Sequence, residues 1–212
     1  QIDGASGFYF FDGSAWTSLS GNTTSSNTGL EQVTEGGNTG YRLIGRDTAN
    51  YGNIGSEAID LSYSASPSTS AGAGGDYSIA MGQNTTASGY SSATMGYYTD
   101  ASGNFSTAMG SFTTASGQVS TAMGIETEAS GNFSTAMGDD TDASGDFSTA
   151  MGRATTASGF ASTAMGNSTV ASGYYSIATG DFTDASGAAS TAMGGGSDAS
   201  GDFSTAMGYN TE

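Results

Sequence analysis

Carboxylates are the side chains in this sequence with the most reactive potential. There are 20 Asp and Glu against three Arg, with no His, Lys or Cys, and the net charge is −17. Missing His and Lys remove the commonest general base, the commonest imine-forming nucleophile and the commonest metal ligand. Ser is abundant, but none has a His or Lys partner with which to form a triad. The carboxylates that remain recur at fixed spacing. Asp100, Glu128, Asp142, Asp184, Asp198 and Glu212 are separated by multiples of 14 residues, and Asp139 and Asp140 follow Glu126 one period later. Stacked at about 5 Å, such like charges repel by roughly 1 kcal/mol per pair in water. Bound Ca²⁺ would relieve that repulsion. However, Thr86, Thr114, Thr156 and Val170 interrupt the series, and no fixed multi-ligand calcium loop is present. The expectation is a hydrated acidic coat with no metal, no cofactor and no enzymatic activity. Arg153 falls one period after Asp139 and predicts a weak surface ion pair. The acidity argues against nucleic acid and anionic membrane as partners. No run of about 18 apolar residues exists to span a bilayer as a helix.

The 14-residue period extends far beyond the acids. Every methionine obeys it: Met81, Met95, Met109, Met123, Met137, Met151, Met165, Met193 and Met207, with Thr179 at the one missing rung. The unit reads Gly-x-aromatic-Ser-Thr-Ala-Met-Gly-x-x-Thr-x-Ala-Ser, and ten copies start at Gly75, Gly89 and so on to Gly201. None carries an insertion or deletion. A hydrophobic content of 35% and 35 Gly lean towards disorder. Strict register outweighs them, because it implies identical coils stacked along an axis.

Let slot 1 be the leading Gly. Slots 3 to 8 alternate large and small, as in Phe105-Ser106-Thr107-Ala108-Met109-Gly110, which predicts a strand. Slots 11 to 13 predict a second, shorter strand with Thr and Ala on one face and slot 12 on the other. Ser-Gly at slots 14 and 1 marks one turn, and slots 8 to 10 mark the other. Two strands and two turns make a flattened coil. At about 4.8 Å per parallel pairing, ten coils give a rod of roughly 48 Å. Ser, Ala and Gly of slots 4, 6 and 8 should fill a narrow interior, with Thr and Ala of slots 11 and 13. Recurrent Gly and β-branched Thr argue against a helix. Slots 3, 5 and 7 should face outwards as one apolar stripe of aromatic, Thr and Met. A stripe running the length of a soluble rod marks an interface, and the simplest solution is self-association about a common axis. The nine Met, with Phe105, Phe133, Phe147 and Phe203, are the expected interface residues. The slot-5 row of Thr107, Thr121, Thr135, Thr149 and Thr163 would be covered by the same association, which disfavours an ice-binding role. Exposed rings in the turns, namely Tyr90, Tyr97, Tyr98, Phe112, Phe160, Tyr174 and Phe182, are the expected surface-recognition residues.

Residues 1–60 are expected to form a β-rich N-terminal cap or connector. Phe8 to Trp16 is aromatic, with a hairpin turn at Asp12-Gly13. Residues 18–29 read as a linker, and Tyr41 to Gly45 as a strand. Ser56-Glu57-Ala58-Ile59-Asp60 reads as a degenerate coil aligned with Ser78-Ile79-Ala80-Met81-Gly82. Residues 61–74, with the sole proline Pro67, read as a loop, and 75–212 as the repeat domain. The chain starts at Gln1 and stops inside the tenth coil, so both ends read as cuts in a longer protein.

The Ser-x-Ala-x-Gly core at this spacing, from Ser78-Ile79-Ala80-Met81-Gly82 through Ser204-Thr205-Ala206-Met207-Gly208, resembles the head repeats of trimeric autotransporter adhesins, the YadA-like heads. The resemblance covers residues 75–212. It implies an all-β, left-handed parallel β-roll assembled as a homotrimer, extracellular and without enzymatic activity, that attaches to host surfaces. The partners implied are the chain's own copies and a receptor, glycan or matrix protein. Thr94 for Ala, Thr179 for Met, and Met in place of the usual Ile or Val are departures. Similar repeats occur in tail-fibre-like proteins, so a phage or contractile-injection tail fibre, or a purely structural filament, are the alternative readings.

Overall fold

The structure, a computed structural model, describes residues 29–212 and the backbone of two short strands near the N-terminus, β1 (Tyr9–Phe11) and β2 (Trp16–Ser18). β1 and β2 pair antiparallel, Tyr9 against Ser18. The Asp12-Gly13 turn and nearly all of the 18–29 linker lie outside the described residues. The described residues are all-β apart from one 3₁₀ turn at Thr48–Asn50.

Each regular coil contributes one five-residue strand at slots 5 to 9 and a two-residue strand at slots 12 and 13, for example Thr107–Ser111 and Thr114–Ala115. In the coils starting at Gly131 and Gly145 the two merge into Thr135–Ala143 and Thr149–Ala157. Successive coils pair in parallel and in register: Met109 opposite Met123, Met123 opposite Met137, Met137 opposite Met151. Ala at slots 6 and 13 is fully buried and forms one continuous ladder from Ala101 to Ala206. Ser at slot 4 and Thr at slot 11 complete the interior, as in Ser106 and Thr113. The Ser106 hydroxyl donates to the Gly103 carbonyl of its own coil at 2.6 Å, whereas the buried hydroxyls of Ser120, Ser134 and Thr113 have no hydrogen-bond partner within the chain.

Two expectations about the regular coil need correction. The aromatic of slot 3 is not in the strand. Phe105, Phe133 and Phe147 have φ of 60°, 59° and 61°, the left-handed region, and form a corner. Their N–H groups still join the coil-to-coil ladder: Phe105 donates to Tyr90 O at 2.7 Å and Phe133 to Gln118 O at 2.8 Å. Bulky residues are rare at such φ, with a cost of order 1 kcal/mol. The ladder bonds on both sides hold them there. The second correction is slot 8. Gly110 and Gly152 are exposed rather than interior. Glycine is required because φ is +126° and +128°, and because a Cβ would meet the carbonyl oxygen of the next coil's Gly at 2.0 Å. Slot 10 makes the second left-handed corner, as at Tyr98, Phe112 and Asp140. The coil is therefore two similar seven-residue halves. Each runs from Gly through a left-handed corner to a buried hydroxyl and a buried Ala.

Before the first regular coil, β3 (Leu30–Glu35) and β4 (Asn38–Leu43) form an antiparallel hairpin. β4 pairs in parallel with β5 (Ile59–Tyr63), Tyr41 opposite Ile59. β5 pairs with Ile79–Gln83, and Ile59 lies opposite Ile79, not Met81. The expected register is thus displaced by two residues: Ala58 takes the serine slot and Asp60 the alanine slot. The 61–74 segment is not a loop throughout. It holds the rest of β5 and also β6 (Gly72–Ala73), which pairs with Thr86–Ala87. The chain extension lies between them, at Ser64 to Ser70.

Asp60, fully buried, brings charge into the alanine ladder and is matched by Arg42, 2% exposed. Arg42 Nε donates to Asp60 Oδ2 at 3.1 Å, while Nη1 and Nη2 donate to the two Glu35 carboxylate oxygens at 2.9 and 3.2 Å. Nη2 also donates to Gly52 O at 3.1 Å, and the guanidinium lies over the Tyr51 ring. Asp60 Oδ1 accepts from Ser62 N–H and Oγ–H. A buried ion pair is tolerable only when satisfied in this way. No repeating pattern announced it; the one sequence signal is an acid in the alanine slot of an irregular coil.

Candidate functional site

Parallel register places slots 5 and 7 on one face of the longer-strand sheet, so the Thr and Met rows are continuous along the rod. Met95, Met193 and Met207 are 46%, 42% and 62% exposed, and the other six are half-buried by neighbouring coils. Each Met returned from half exposure to apolar surroundings contributes about 1 kcal/mol. Thr179 interrupts the row opposite Met165 and Met193.

The aromatics expected to divide between interface and recognition instead gather at the two corners. At the slot-2 and slot-3 corner, Tyr77, Tyr90 and Phe105 make successive edge contacts at 5.5 and 5.4 Å. Phe133 stacks on Phe147 at 5.0 Å, and Phe147 meets Phe160 edge-on at 5.4 Å. Interface candidates Phe105 and Phe147 thus touch recognition candidates Tyr90 and Phe160. Phe203, in the last coil, is 82% exposed. At the opposite corner, Tyr97, Tyr98 and Phe112 form a three-ring cluster in which Tyr98 and Phe112 are stacked at 5.3 Å. Phe182, 65% exposed, occupies the same corner further along. Two shallow clefts adjoin these rings. One, of about 280 Å³, lies between the Ser64–Ser70 extension and Tyr98. The other, of about 320 Å³, borders Phe160 and Tyr174.

The slot-12 acids face outwards as expected, with Glu128 opposite Asp142 and Asp184 opposite Asp198. Burial pushes the Asp100 carboxyl up, against a smaller opposing hydrogen bond from Ser102. Burial also raises Asp184, with added repulsion from Asp198. A carboxylate whose folded pKa is raised favours the protonated folded state. Its stabilising contribution is present in full below the unfolded pKa of about 3.9 and is lost as pH rises through the folded value. The melting temperature should therefore rise from pH 7 to about pH 4.5, and the rise should shrink in an Asp100→Asn, Asp184→Asn variant. A melt that falls over that interval contradicts the assignment. Arg153 approaches Asp139 at 3.8 Å with both side chains exposed, so the pair adds little. Among the described residues no cluster of three or more His, Cys, Asp or Glu is placed to hold a metal. No helix among them is long and apolar enough to cross a membrane.

In-register coils, a Ser-Ala interior and an outward Met row are the framework against which similarity to known proteins can be judged. A model of the YadA head domain repeat matches residues 73–99, 95–113, 101–127, 115–141, 129–155, 143–159, 157–183 and 185–211, more than half of the chain. The chain belongs to the YadA head repeat family. No curated protein matches it. The YadA head repeats are those of a trimeric autotransporter adhesin-like segment, an adhesin-type structural domain. The matches fall on the regular coils apart from the first two residues of the first one, which begins at Ala73 in β6.

Proposed function

We propose that this YadA-type segment is the head of a homotrimeric extracellular adhesin, a left-handed roll that attaches to host surfaces and has no catalytic role. The observation that carries the reading is the outward row of slots 5 and 7, which runs the length of the regular coils with Thr179 as the one slot-7 residue that is not Met. Three copies around one axis would cover it, leaving the slot-12 acids and the corner rings in solvent. Tyr97 and Tyr98 are the first recognition residues to test, because both are exposed, Tyr98 lines a cleft and Tyr97 packs edge-on against Tyr98. Purified protein should adhere to cultured epithelial cells or to immobilised matrix proteins. The Tyr97→Ala, Tyr98→Ala variant should keep the native melting temperature and adhere several-fold less, as expected for loss of two exposed anchors. Undiminished adherence by a folded variant removes these tyrosines from the recognition surface. No adherence by the native protein counts against the adhesin reading itself.

A further inference from the structure

The slot-2 corner carries Asp or Asn in five coils: Asp76, Asn104, Asn132, Asp146 and Asp202. Each accepts, through one side-chain oxygen, the slot-2 N–H of the preceding coil at 2.8–3.0 Å; the donors are Ser56, Tyr90, Gln118, Asn132 and Ala188. These N–H groups lie outside the coil-to-coil backbone ladder, so the Asx oxygen is their intrachain acceptor. The other five coils carry Tyr90, Gln118, Phe160, Tyr174 and Ala188 at this slot, and only Phe160 and Tyr174 put rings there in two successive coils. The N–H groups of Asp146 and Phe160, one coil before each ring, are thereby left without that acceptor. Both residues line the cleft of about 320 Å³. Its wall also carries the slot-14 hydroxyls of Ser144, Ser158 and Ser172 from three successive coils. Phe160 and Tyr174 stack at 6.1 Å between centroids with planes 25° apart, and Tyr174 is 64% exposed. Asp146 uses Oδ1 on the Asn132 amide, so Oδ2 remains as an acceptor.

We infer that this cleft is a subsite for a neutral oligosaccharide, an inference that rests on the adhesin reading and supplies its receptor chemistry. Sugar oxygens would accept from the Asp146 and Phe160 amides, where Asx oxygens accept in other coils. A sugar hydroxyl would donate to Asp146 Oδ2, and the serine hydroxyls can donate or accept. The apolar face of a pyranose would rest on the Phe160 and Tyr174 rings. An anionic ligand would meet Asp146 and a chain of net charge −17. A peptide strand finds no free edge at this level, since the strands of these coils are paired on both sides.

The test uses the full chain with immobilised cellohexaose, chitohexaose and maltohexaose, a heparin hexasaccharide as the anionic control, and cultured epithelial cells in parallel. The variant is Phe160→Asn, Tyr174→Asn, which places the repeat's own Asx at both positions, so folding is not at risk. Saturable binding to a neutral hexasaccharide is expected, about tenfold weaker in the variant, with unchanged mass and no loss of melting temperature. The subsite is overturned if no neutral probe binds, if heparin is preferred, or if the variant binds equally. It is also overturned if the variant's assembly mass changes, since the rings would then be an inter-chain contact. Cell attachment without binding to any neutral probe sinks the subsite and leaves the adhesin reading standing. Oligosaccharide binding without cell attachment does the reverse.

Discussion

Gly138→Ala should lower the melting temperature of the rod by about 10 °C or split its unfolding into two steps. The added Cβ would lie 1.9 Å from the Gly152 carbonyl oxygen, 2.9 Å from its carbon and 3.0 Å from its nitrogen. All three atoms are backbone, and Gly152 is held between the coils on either side. No side chain can swing aside, so coils must separate locally. The φ of +136° adds strain of its own. Together these should cost more than about 3 kcal/mol, beyond ordinary overpacking, and at about 2–4 °C per kcal/mol for a chain of this size the shift follows. A mid-rod defect also weakens nearest-neighbour coupling, which is why two transitions are a possible form of the result. Gly195→Ala is the control. There the Cβ would meet only the edge of the Tyr209 ring at 3.1 Å, which can rotate. A Gly138→Ala melt within a degree or two of the native one would contradict the coil spacing described here.

Side-chain size, repeated ten times, is what made the roll legible. Ser at slot 4, Ala at 6, Thr at 11 and Ala at 13 announced a narrow interior because nothing larger occurs there except Thr94. The outward slot-12 acids followed from the same alternation. Backbone dihedrals left no such trace. Phe at slot 3 continued the large-small alternation, so Phe105 and Phe133 read as strand residues although they sit at left-handed corners. Gly at slot 8 looked like one more small interior residue, whereas its real constraint is the approach of the next coil's carbonyl. Non-periodic contacts were the least visible. Asp60 occupies an alanine slot because Arg42, 18 residues earlier on β4, neutralises it, and only the parallel pairing of β4 with β5 brings the two together. For the same reason Ser56 looked equivalent to Ser78, while the true equivalence is two residues further on. The cleft at Phe160 depended on which atoms the Asx side chains accept from, and residue types alone do not reveal that.

Replacing Met123, Met137 and Met151 together by Asp addresses the central claim, that the Met row is the shared interior of a trimer. In such an assembly each substitution places three carboxylates at one height against Met and Thr. Desolvation and mutual repulsion should cost several kcal/mol per level, enough to prevent association. Asp at Thr114, Thr156 and Val170 is the matched control, because the equivalent slot of other coils already holds Asp100, Asp142 and Asp184. The decisive measurement is molar mass by light scattering, read beside a circular dichroism melt. With a chain mass of 20.9 kDa, the native protein and the Thr-Thr-Val control should both weigh three chains, about 63 kDa. The triple Met→Asp variant should weigh one chain or unfold. A native mass of one chain, or a triple variant that keeps the trimer mass and an unchanged melt, would put the Met row in solvent and contradict the account.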